Sequence, residues 1–225
     1  TFCVDHHVTN QGFAEENCVE PDASSASEVV CTLLDMEKID LAAAECFYTG
    51  IVHDTGVFKF SCTSGRTMEI AGKLMDKGID TTEIIDGSFY RKTYAQNQML
   101  GKALLGSVLL LDGKCVFSSV TKKEMDVYGV TTKDLDGIID QLRLTEGVET
   151  AVFMYETGEN TFKVSMRSCK YVDVSRIAAC FGGGGHVRAA GCTVTGTVQE
   201  ILAELMPHIE RQILEWEADH GCFTE

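Results

Sequence analysis

The distribution of apolar positions along the chain predicts an α/β protein. In the first half, a short β-type run occupies residues 1–4, and apolar residues recur at helical spacing over 41–48 and 63–78. A further helix is predicted after Ser25, because Ser25 and Glu28 have the spacing of a capping box. The first half is therefore predicted to be mainly helical, with a short strand at its start.

The second half alternates at the period of β-strands. Residues 108–111 and 116–120 flank an Asp-Gly turn, and residues 150–155 and 161–166 flank a second glycine-containing turn. Helical spacing returns over 135–142, 172–181 and 201–216. These segments predict two β-hairpins and several helices in a second α/β domain.

A change in composition near residue 89 indicates a domain boundary. The segment that begins there is polar and helical, with few residues suited to a core. We therefore assign residues 1–88 to a first domain, 89–105 to a helical linker and 106–225 to a second domain.

The balance of charges limits the partners of the protein. The chain has 34 acidic and 19 basic residues, which gives a formal net charge of −15. Such a surface repels long polyanions, so extended DNA or RNA is a poor partner. A small anion held in a pocket with metal ions is still compatible with this charge.

Composition also indicates a compartment. No apolar run approaches the roughly 20 residues that cross a bilayer, and the first residues lack the layout of a signal peptide. The ten cysteines are scattered without a Cys-x-x-Cys pair, mostly within apolar patterns. We expect small buried thiols in a reducing cytoplasm, no thiolate zinc site and no membrane association of this chain.

Four consecutive glycines, from Gly182 to Gly185, precede His186 and form the most unusual stretch of the sequence. Glycine loses more conformational entropy on folding than any other residue, and a close approach of backbone to a ligand is the usual reason for such a run. The peptide N–H groups and the imidazole could surround a phosphate or carboxylate. The alternative is a flexible linker, although linkers usually mix glycine with serine.

Two further groups of polar residues follow predicted strands or helices. Asp5-His6-His7 ends the first β-type run, and Asp54 stands where an apolar segment meets Thr-Gly. Each has a simpler interpretation, as hydrogen-bonded surface histidines and as a turn-forming aspartate. Arg167 and Ser168 end another strand, where Arg167 could clamp a phosphate or form a surface ion pair.

Taken together, these motifs resemble the DHH phosphoesterase superfamily. Asp5-His6-His7 resembles its signature, and Gly50 to Phe58 resembles its later metal motif. Met166-Arg167-Ser168 and Gly182 to Gly191 resemble its C-terminal substrate-binding domain. Within the superfamily the chain is most similar to the bacterial nano-RNase and 3′-phosphoadenosine-5′-phosphate phosphatase group.

The resemblance implies a fold, a metal and a set of roles. The expected fold is a truncated parallel-sheet DHH domain followed by a smaller α/β domain with a mixed sheet, across a cleft from it. The expected cofactor is a pair of divalent ions, usually Mn²⁺, with His6 and Asp54 as ligands. His7 would face the scissile phosphate and Asp5 would orient the pair. The residues implied in substrate binding are Arg167, Ser168, Gly183, Gly184, Gly185 and His186.

One departure from the family pattern concerns the start of the chain. The upstream His-x-x-x-Asp-x-Asp motif and a further aspartate should precede Asp5, but only four residues do, and the first is Thr rather than Met. We therefore expect a fragment that binds Mn²⁺ weakly and hydrolyses little.

The resemblance also implies an activity, with alternatives. We expect hydrolysis of short oligoribonucleotides, of adenosine 3′,5′-bisphosphate, or of both. Cyclic-dinucleotide hydrolysis and a non-catalytic nucleotide- or RNA-binding module are the alternatives. We also consider a homodimer.

Overall fold

The computed structural model describes residues 1–7 and 10–220, and the chain divides into two compact units. The N-terminal unit is Thr1–Arg91 and the C-terminal unit is Lys92–Glu225. The first contains a parallel strand pair and the second a six-stranded mixed sheet. The predicted α/β class is confirmed, and the second unit is the longer of the two in this chain.

The N-terminal unit packs four helices beside its two strands. Strand β1 (Phe2–Asp5) pairs in parallel with β2 (Glu16–Val19). The helices are α1 (Ala26–Leu33), α2 (Leu41–Thr55), α3 (Gly65–Met75) and α4 (Thr81–Ile85), with a π-helical turn over Asp86–Tyr90. Their apolar faces enclose one core, which includes Tyr48, Ile51, Val52, Ile70 and Leu74.

Side-chain caps set the beginnings of these helices. Ser25 Oγ accepts from Glu28 N at 3.0 Å, so α1 begins where the sequence predicted. Only half of the predicted capping box forms, because the Glu28 side chain bonds elsewhere. Helix α3 is capped by Ser64, one residue after the start of the predicted segment.

The C-terminal unit is organised on its sheet. The strands are β3 (Val108–Leu110), β4 (Cys115–Val120), β5 (Thr150–Gly158), β6 (Thr161–Ser168), β7 (Gly184–His186) and β8 (Ala189–Thr195). The helices are α5 (Tyr94–Leu105), α6 (Lys122–Tyr128), α7 (Ile138–Arg143), α8 (Val174–Cys180) and α9 (Val198–His220). The strand order is β3-β4-β5-β6-β8-β7, and only the β4–β5 pair is parallel. Both predicted hairpins are present.

Helices cover both faces of this sheet because its central strands alternate apolar residues on both sides. On β5, Ala151 and Phe153 pack with α5, α6 and α7, whereas Val152 and Met154 pack with α8 and α9. The result is a three-layered unit with one core on each face of the sheet.

The segment expected to be a linker, residues 89–105, has a different structure. The division between the units lies after Arg91, and α5 packs within the C-terminal unit. Met99 and Ala103 of α5 are fully buried in the core shared with α6 and α7. These two inward positions were not recognised in the sequence because most of the helix surface is polar.

The cysteines are less buried than expected. All nine described cysteines are free, but only Cys31, Cys115 and Cys192 are buried. Burial raises the pKa of the Cys31 thiol to about 11 and that of Cys115 to about 12. Cys222 lies outside the described residues. Within the described part of the chain, no helix has the length and apolar character needed to cross a bilayer.

Candidate metal centre and anion-binding face

Asp5 ends β1 and organises the two histidines that follow it. Its Oδ1 accepts from His6 N at 2.7 Å, from His7 N at 3.2 Å and from His7 Nδ1 at 2.7 Å. Its Oδ2 accepts from Asn10 Nδ2 at 2.6 Å. The hydrogen bonds from Asn10 and His7 hold the pKa of the Asp5 carboxyl well below its usual range. Asp5 therefore fixes the His7 ring and the backbone of His6.

The His6 ring is held in one tautomer. Its Nδ1 lies 3.2 Å from Ala23 O. A carbonyl oxygen can only accept, so Nδ1 carries the proton and donates it. Nε2 lies 3.5 Å from Asp54 Oδ2, and the His6 side chain is 19% exposed. In the neutral ring the Nε2 lone pair is thus available beside a carboxylate.

Asp54 stands in the last turn of α2, where a carboxylate is unfavourable. The C-terminal end of a helix carries partial negative charge, which disfavours an acidic side chain and favours a cation. The helix ends in Gly56, Val57 and Phe58, all with positive φ. For Val57 this conformation is strained, since its branched side chain rarely adopts it. The backbone strain at Val57 and the position of Asp54 both favour a functional role for this turn over a stabilising one.

The other residues of the Asp54 motif have structural roles. A Cβ on Gly50 would collide with Ser27 Oγ, so Gly50 allows α1 and α2 to pack closely. Thr55 is buried, and its Oγ1 donates to Ile51 O at 2.6 Å and accepts from Phe58 N at 3.0 Å. These contacts fix the turn that presents Asp54.

His6 and Asp54 fit two ligands of a divalent ion. Two atoms that each bind an ion at about 2.1 Å can be up to about 4.2 Å apart, and the separation of His6 Nε2 and Asp54 Oδ2 is 3.5 Å. Imidazole nitrogen and carboxylate oxygen suit Mn²⁺ and related ions. Within residues 1–7 and 10–220, no group of three or more His, Cys, Asp or Glu side chains has metal-site geometry. The described chain thus offers two candidate ligands, His6 Nε2 and Asp54 Oδ2.

The glycine run is mostly an edge strand rather than an open loop. Gly184, Gly185 and His186 form β7, which pairs with β8. A Cβ on Gly183 would collide with the backbone of Gly191 and Cys192. One on Gly185 would lie 2.5 Å from Ala189 O. Close packing of strands therefore explains these two glycines, which the sequence analysis attributed to a ligand.

Strand register brings His186 and Arg167 to one face of the sheet. His186 is paired with Ala189, and Ala189 is paired with Arg167 on β6. Directly paired residues share a face, and two strand spacings separate the His186 and Arg167 backbones by about 10 Å. Lys163 is four residues before Arg167 on β6, and alternate side chains of a strand share a face, so Lys163 lies on this face as well. Its Cε is 3.9 Å from the position of a Cβ on Gly191. We call these three side chains, Lys163, Arg167 and His186, the cationic face.

Ser168 does not join Arg167. Neighbouring residues on a strand point to opposite sides, so Ser168 faces the α8 side of the sheet, where it is 3% exposed. Its Oγ accepts from Arg188 Nη1 at 3.4 Å. Arg167 Nε lies 3.5 Å from Asp140 Oδ1, the surface ion pair that was the simpler interpretation of Arg167.

Two charged residues near these sites, Lys163 and Glu28, were not predicted from the sequence as site residues. Lys163 gave no signal because a lone lysine on a strand is ordinary, although alternation of the side chains on β6 places it on the same face as Arg167. Glu28 was taken for a capping residue, but its fully buried carboxylate bonds to Ser24, Arg66 and Thr67.

Comparison with known proteins shows which family the C-terminal unit matches and which proteins the chain is similar to. Residues 112–214 match the DHHA1 domain. A solved structure of an exopolyphosphatase-related protein from Bacteroides fragilis superposes with a TM-score of 0.85 at 27% identity, covering 93% of this chain and 63% of that one. The chain is thus similar to proteins of the DHH superfamily and carries a match to the DHHA1 domain, in agreement with the resemblance of the four motifs.

Within the superfamily the chain is similar to the nano-RNases. It is 30% identical over 195 residues to the bifunctional oligoribonuclease and PAP phosphatase NrnA of Thermus thermophilus. It is 28% identical over 215 residues to the cyclic-di-AMP phosphodiesterase GdpP of Bacillus subtilis. These alignments cover 86% and 92% of this chain. The chain spans 58% of the length of the first relative and 32% of the second.

Proposed function

We propose that the protein is a divalent-metal-dependent phosphoesterase that hydrolyses short oligoribonucleotides, adenosine 3′,5′-bisphosphate or both. The observation that carries this proposal is the pairing of His6 Nε2 with Asp54 Oδ2 at the end of β1. The similarity to NrnA of Thermus thermophilus supports the substrate class. The cytoplasmic location and a homodimer stay predictions.

The N-terminal unit would hold the metal and the reacting phosphate. His6 and Asp54 are the proposed ligands, with Mn²⁺ as the expected ion. When bound, the ion would supply a nucleophile from water at neutral pH and neutralise charge on the phosphoryl oxygens. The bound cation would also offset the repulsion between the Asp54 carboxylate and the partial negative charge at the C-terminal end of α2.

His7 is the proposed proton carrier. Its Nδ1 donates to Asp5 Oδ1 at 2.7 Å, which leaves Nε2 as its reactive nitrogen. The side chain is 68% exposed, so Nε2 can reach a substrate. A proton on His7 Nε2 could be given to the leaving oxygen, while the Asp5 carboxylate stabilises the charged imidazole.

The cationic face of the C-terminal unit would bind the nucleotide. Lys163 and Arg167 place positive charge on the same face as the His186 imidazole, in a chain with a net charge of −15. Arg167 keeps its capacity for phosphate, since a half-exposed ion pair such as that with Asp140 contributes little free energy. Small residues between these side chains, Ala189 and Gly184, leave room for a ligand against the strands.

Replacement of Asp54 tests the proposal. In the full-length protein with Mn²⁺, we expect hydrolysis of a diribonucleotide and of adenosine 3′,5′-bisphosphate. Asp54→Asn should lower both rates at least about 100-fold and weaken Mn²⁺ binding, because a charged ligand is lost. Glu45→Gln is the matched control, since it removes one negative charge from an exposed position on the same helix. Equal activity of Asp54→Asn and the wild type, or no product from either substrate, would contradict the proposal.

Cyclic-dinucleotide hydrolysis is the second candidate. The similarity to GdpP of Bacillus subtilis, over 92% of this chain, favours it. Relative kcat/KM on a linear and a cyclic diadenylate separates the two, and a preference for the cyclic substrate would replace the leading proposal. Nucleotide binding without turnover and without a metal requirement would instead identify a binding module.

A further inference from the structure

We propose that Glu28 is a positioning residue that sets the tautomer and orientation of His6 through the peptide group joining Ala23 to Ser24. The inference rests on the proposed function in one respect, the role of His6 as a metal ligand. In the described part of the chain, no hydrogen bond or ion pair joins the Glu28 side chain to His6 or Asp54.

The two ends of one peptide group carry the link. The carbonyl of Ala23 accepts from His6 Nδ1 at 3.2 Å. The N–H of Ser24, which belongs to the same planar peptide group, donates to Glu28 Oε2 at 3.2 Å. Glu28 therefore holds one end of a rigid unit whose other end holds the imidazole.

The carboxylate of Glu28 is held in place by several contacts besides the one with Ser24 N. Its side chain is fully buried, and Oε2 also accepts from Ser24 Oγ at 2.5 Å and from Thr67 Oγ1 at 2.7 Å. Arg66 Nε donates to the other oxygen, Oε1, at 2.7 Å. Every contact is a donor to the carboxylate, so the ionised form is the one that the structure requires.

The Glu28 side chain departs from the usual capping arrangement and instead holds the peptide group that contacts His6. A glutamate three residues after an N-cap serine would ordinarily bond back to the N-cap N–H and stay at the surface. Here the side chain turns inward, where pairing with Arg66 and the hydrogen bonds from Ser24 and Thr67 offset the cost of burying its charge. One of these hydrogen bonds comes from Ser24 N, which belongs to the peptide group that contacts His6.

Control of the ring is the chemical consequence. A carboxylate that accepts from an N–H polarises the peptide, because hydrogen bonds in a chain strengthen one another. The Ala23 carbonyl becomes a better acceptor for Nδ1–H, and the lone pair stays on Nε2, which faces Asp54. Groups that orient a histidine ligand through its other nitrogen typically change metal affinity 10- to 100-fold when they are removed.

The test uses Glu28→Met, which keeps an unbranched side chain but removes both acceptors. In the full-length protein without metal, ¹⁵N NMR of labelled histidine should show His6 as the Nδ1–H tautomer in the wild type and a gain of the Nε2–H tautomer in the variant. Calorimetric titration with Mn²⁺ should show about 10-fold weaker binding or more.

Thr67→Val is the matched control for lost stability. It removes one donor to Glu28 and the cap contact with Ser64, but it leaves the carboxylate on Ser24 N. We expect a lower unfolding midpoint in urea with the tautomer unchanged and Mn²⁺ affinity within twofold of the wild type. An unchanged His6 tautomer in Glu28→Met, or equal losses of Mn²⁺ affinity in both variants, would overturn the proposal.

A measurement on the wild type keeps the proposal testable if Glu28→Met does not fold. Addition of diamagnetic Zn²⁺ should shift the Ser24 amide resonance more than that of Ala23, which belongs to the preceding peptide group and donates to Glu20 O at 3.0 Å. Equal shifts of the two amides would contradict the link. If the wild type binds neither Zn²⁺ nor Mn²⁺, the proposed function fails, while the tautomer comparison still decides the role of Glu28.

Discussion

Gly184 differs from the glycines on either side of it. Gly183 and Gly185 lie so close to β8 that a Cβ would meet backbone atoms, and Gly185 has a φ of +146°. At Gly184 a Cβ would meet nothing within 4 Å, and its φ is not one that disfavours a side chain. The fold therefore does not require glycine at this position, so it is the member of the run best suited to contact a ligand.

Alanine at Gly185 should lower stability, whereas alanine at Gly184 should weaken ligand binding. Gly185→Ala should destabilise the protein by about 3 kcal/mol or more, because strain and a backbone collision add. Gly184→Ala should leave the urea unfolding midpoint nearly unchanged but weaken binding of adenosine 3′,5′-bisphosphate, as measured by calorimetry. Unchanged binding in Gly184→Ala would contradict a contact between Gly184 and the ligand.

The sequence predicted the members of the candidate site better than their arrangement. Asp5, His6 and His7 follow a recognisable strand, and Asp54 precedes a recognisable turn, so local pattern was enough to single them out. The separation of Arg167 from Ser168 depends on which face of β6 each residue occupies, and the two alternatives look alike in sequence. The contacts of Glu28 with Arg66 and Thr67 span about 40 positions of the chain and left no local signal.

At the scale of elements, α5 shows where local pattern failed. Met99 and Ala103 are four residues apart on its inner face, and both are fully buried. A helix with only two such positions has too weak an apolar stripe to be recognised as part of a core. Strong hairpin turns and the Ser25 N-cap, by contrast, predicted β3 to β6 and the start of α1, because their signals are contained within a few residues.

Two substitutions on α5 test its place in the C-terminal unit. Met99→Ala should lower the free energy of unfolding by about 2 to 5 kcal/mol, since it leaves a cavity in a packed core. Leu105→Ala is the control on the same helix, because Leu105 is 92% exposed and should change stability by less than about 0.5 kcal/mol. Trp216 is the single tryptophan and lies on α9, so its fluorescence in urea reports this unit. Equal effects of the two substitutions would restore the interpretation of α5 as a linker.

At the scale of the whole molecule, the distribution of charge selects the length of the substrate. The net charge of −15 repels a long polyanion, whereas the cationic face attracts one or two phosphates. Each additional nucleotide therefore adds repulsion once the few local cations are occupied. A protein charged in this way should favour substrates of a few nucleotides.

If charge selects short substrates, kcat/KM should depend on the length of the RNA and on the salt concentration. For the full-length protein with Mn²⁺, we expect kcat/KM for a diribonucleotide to exceed that for a 24-nucleotide RNA by at least about 100-fold at 50 mM salt. At 300 mM salt the ratio should narrow, because the Debye length falls to about 6 Å and the repulsion between distant charges is screened. A ratio that does not change with salt would assign the selection to the shape of the site rather than to charge. Equal rates on both RNAs would show that neither charge nor the shape of the site limits the length of the substrate.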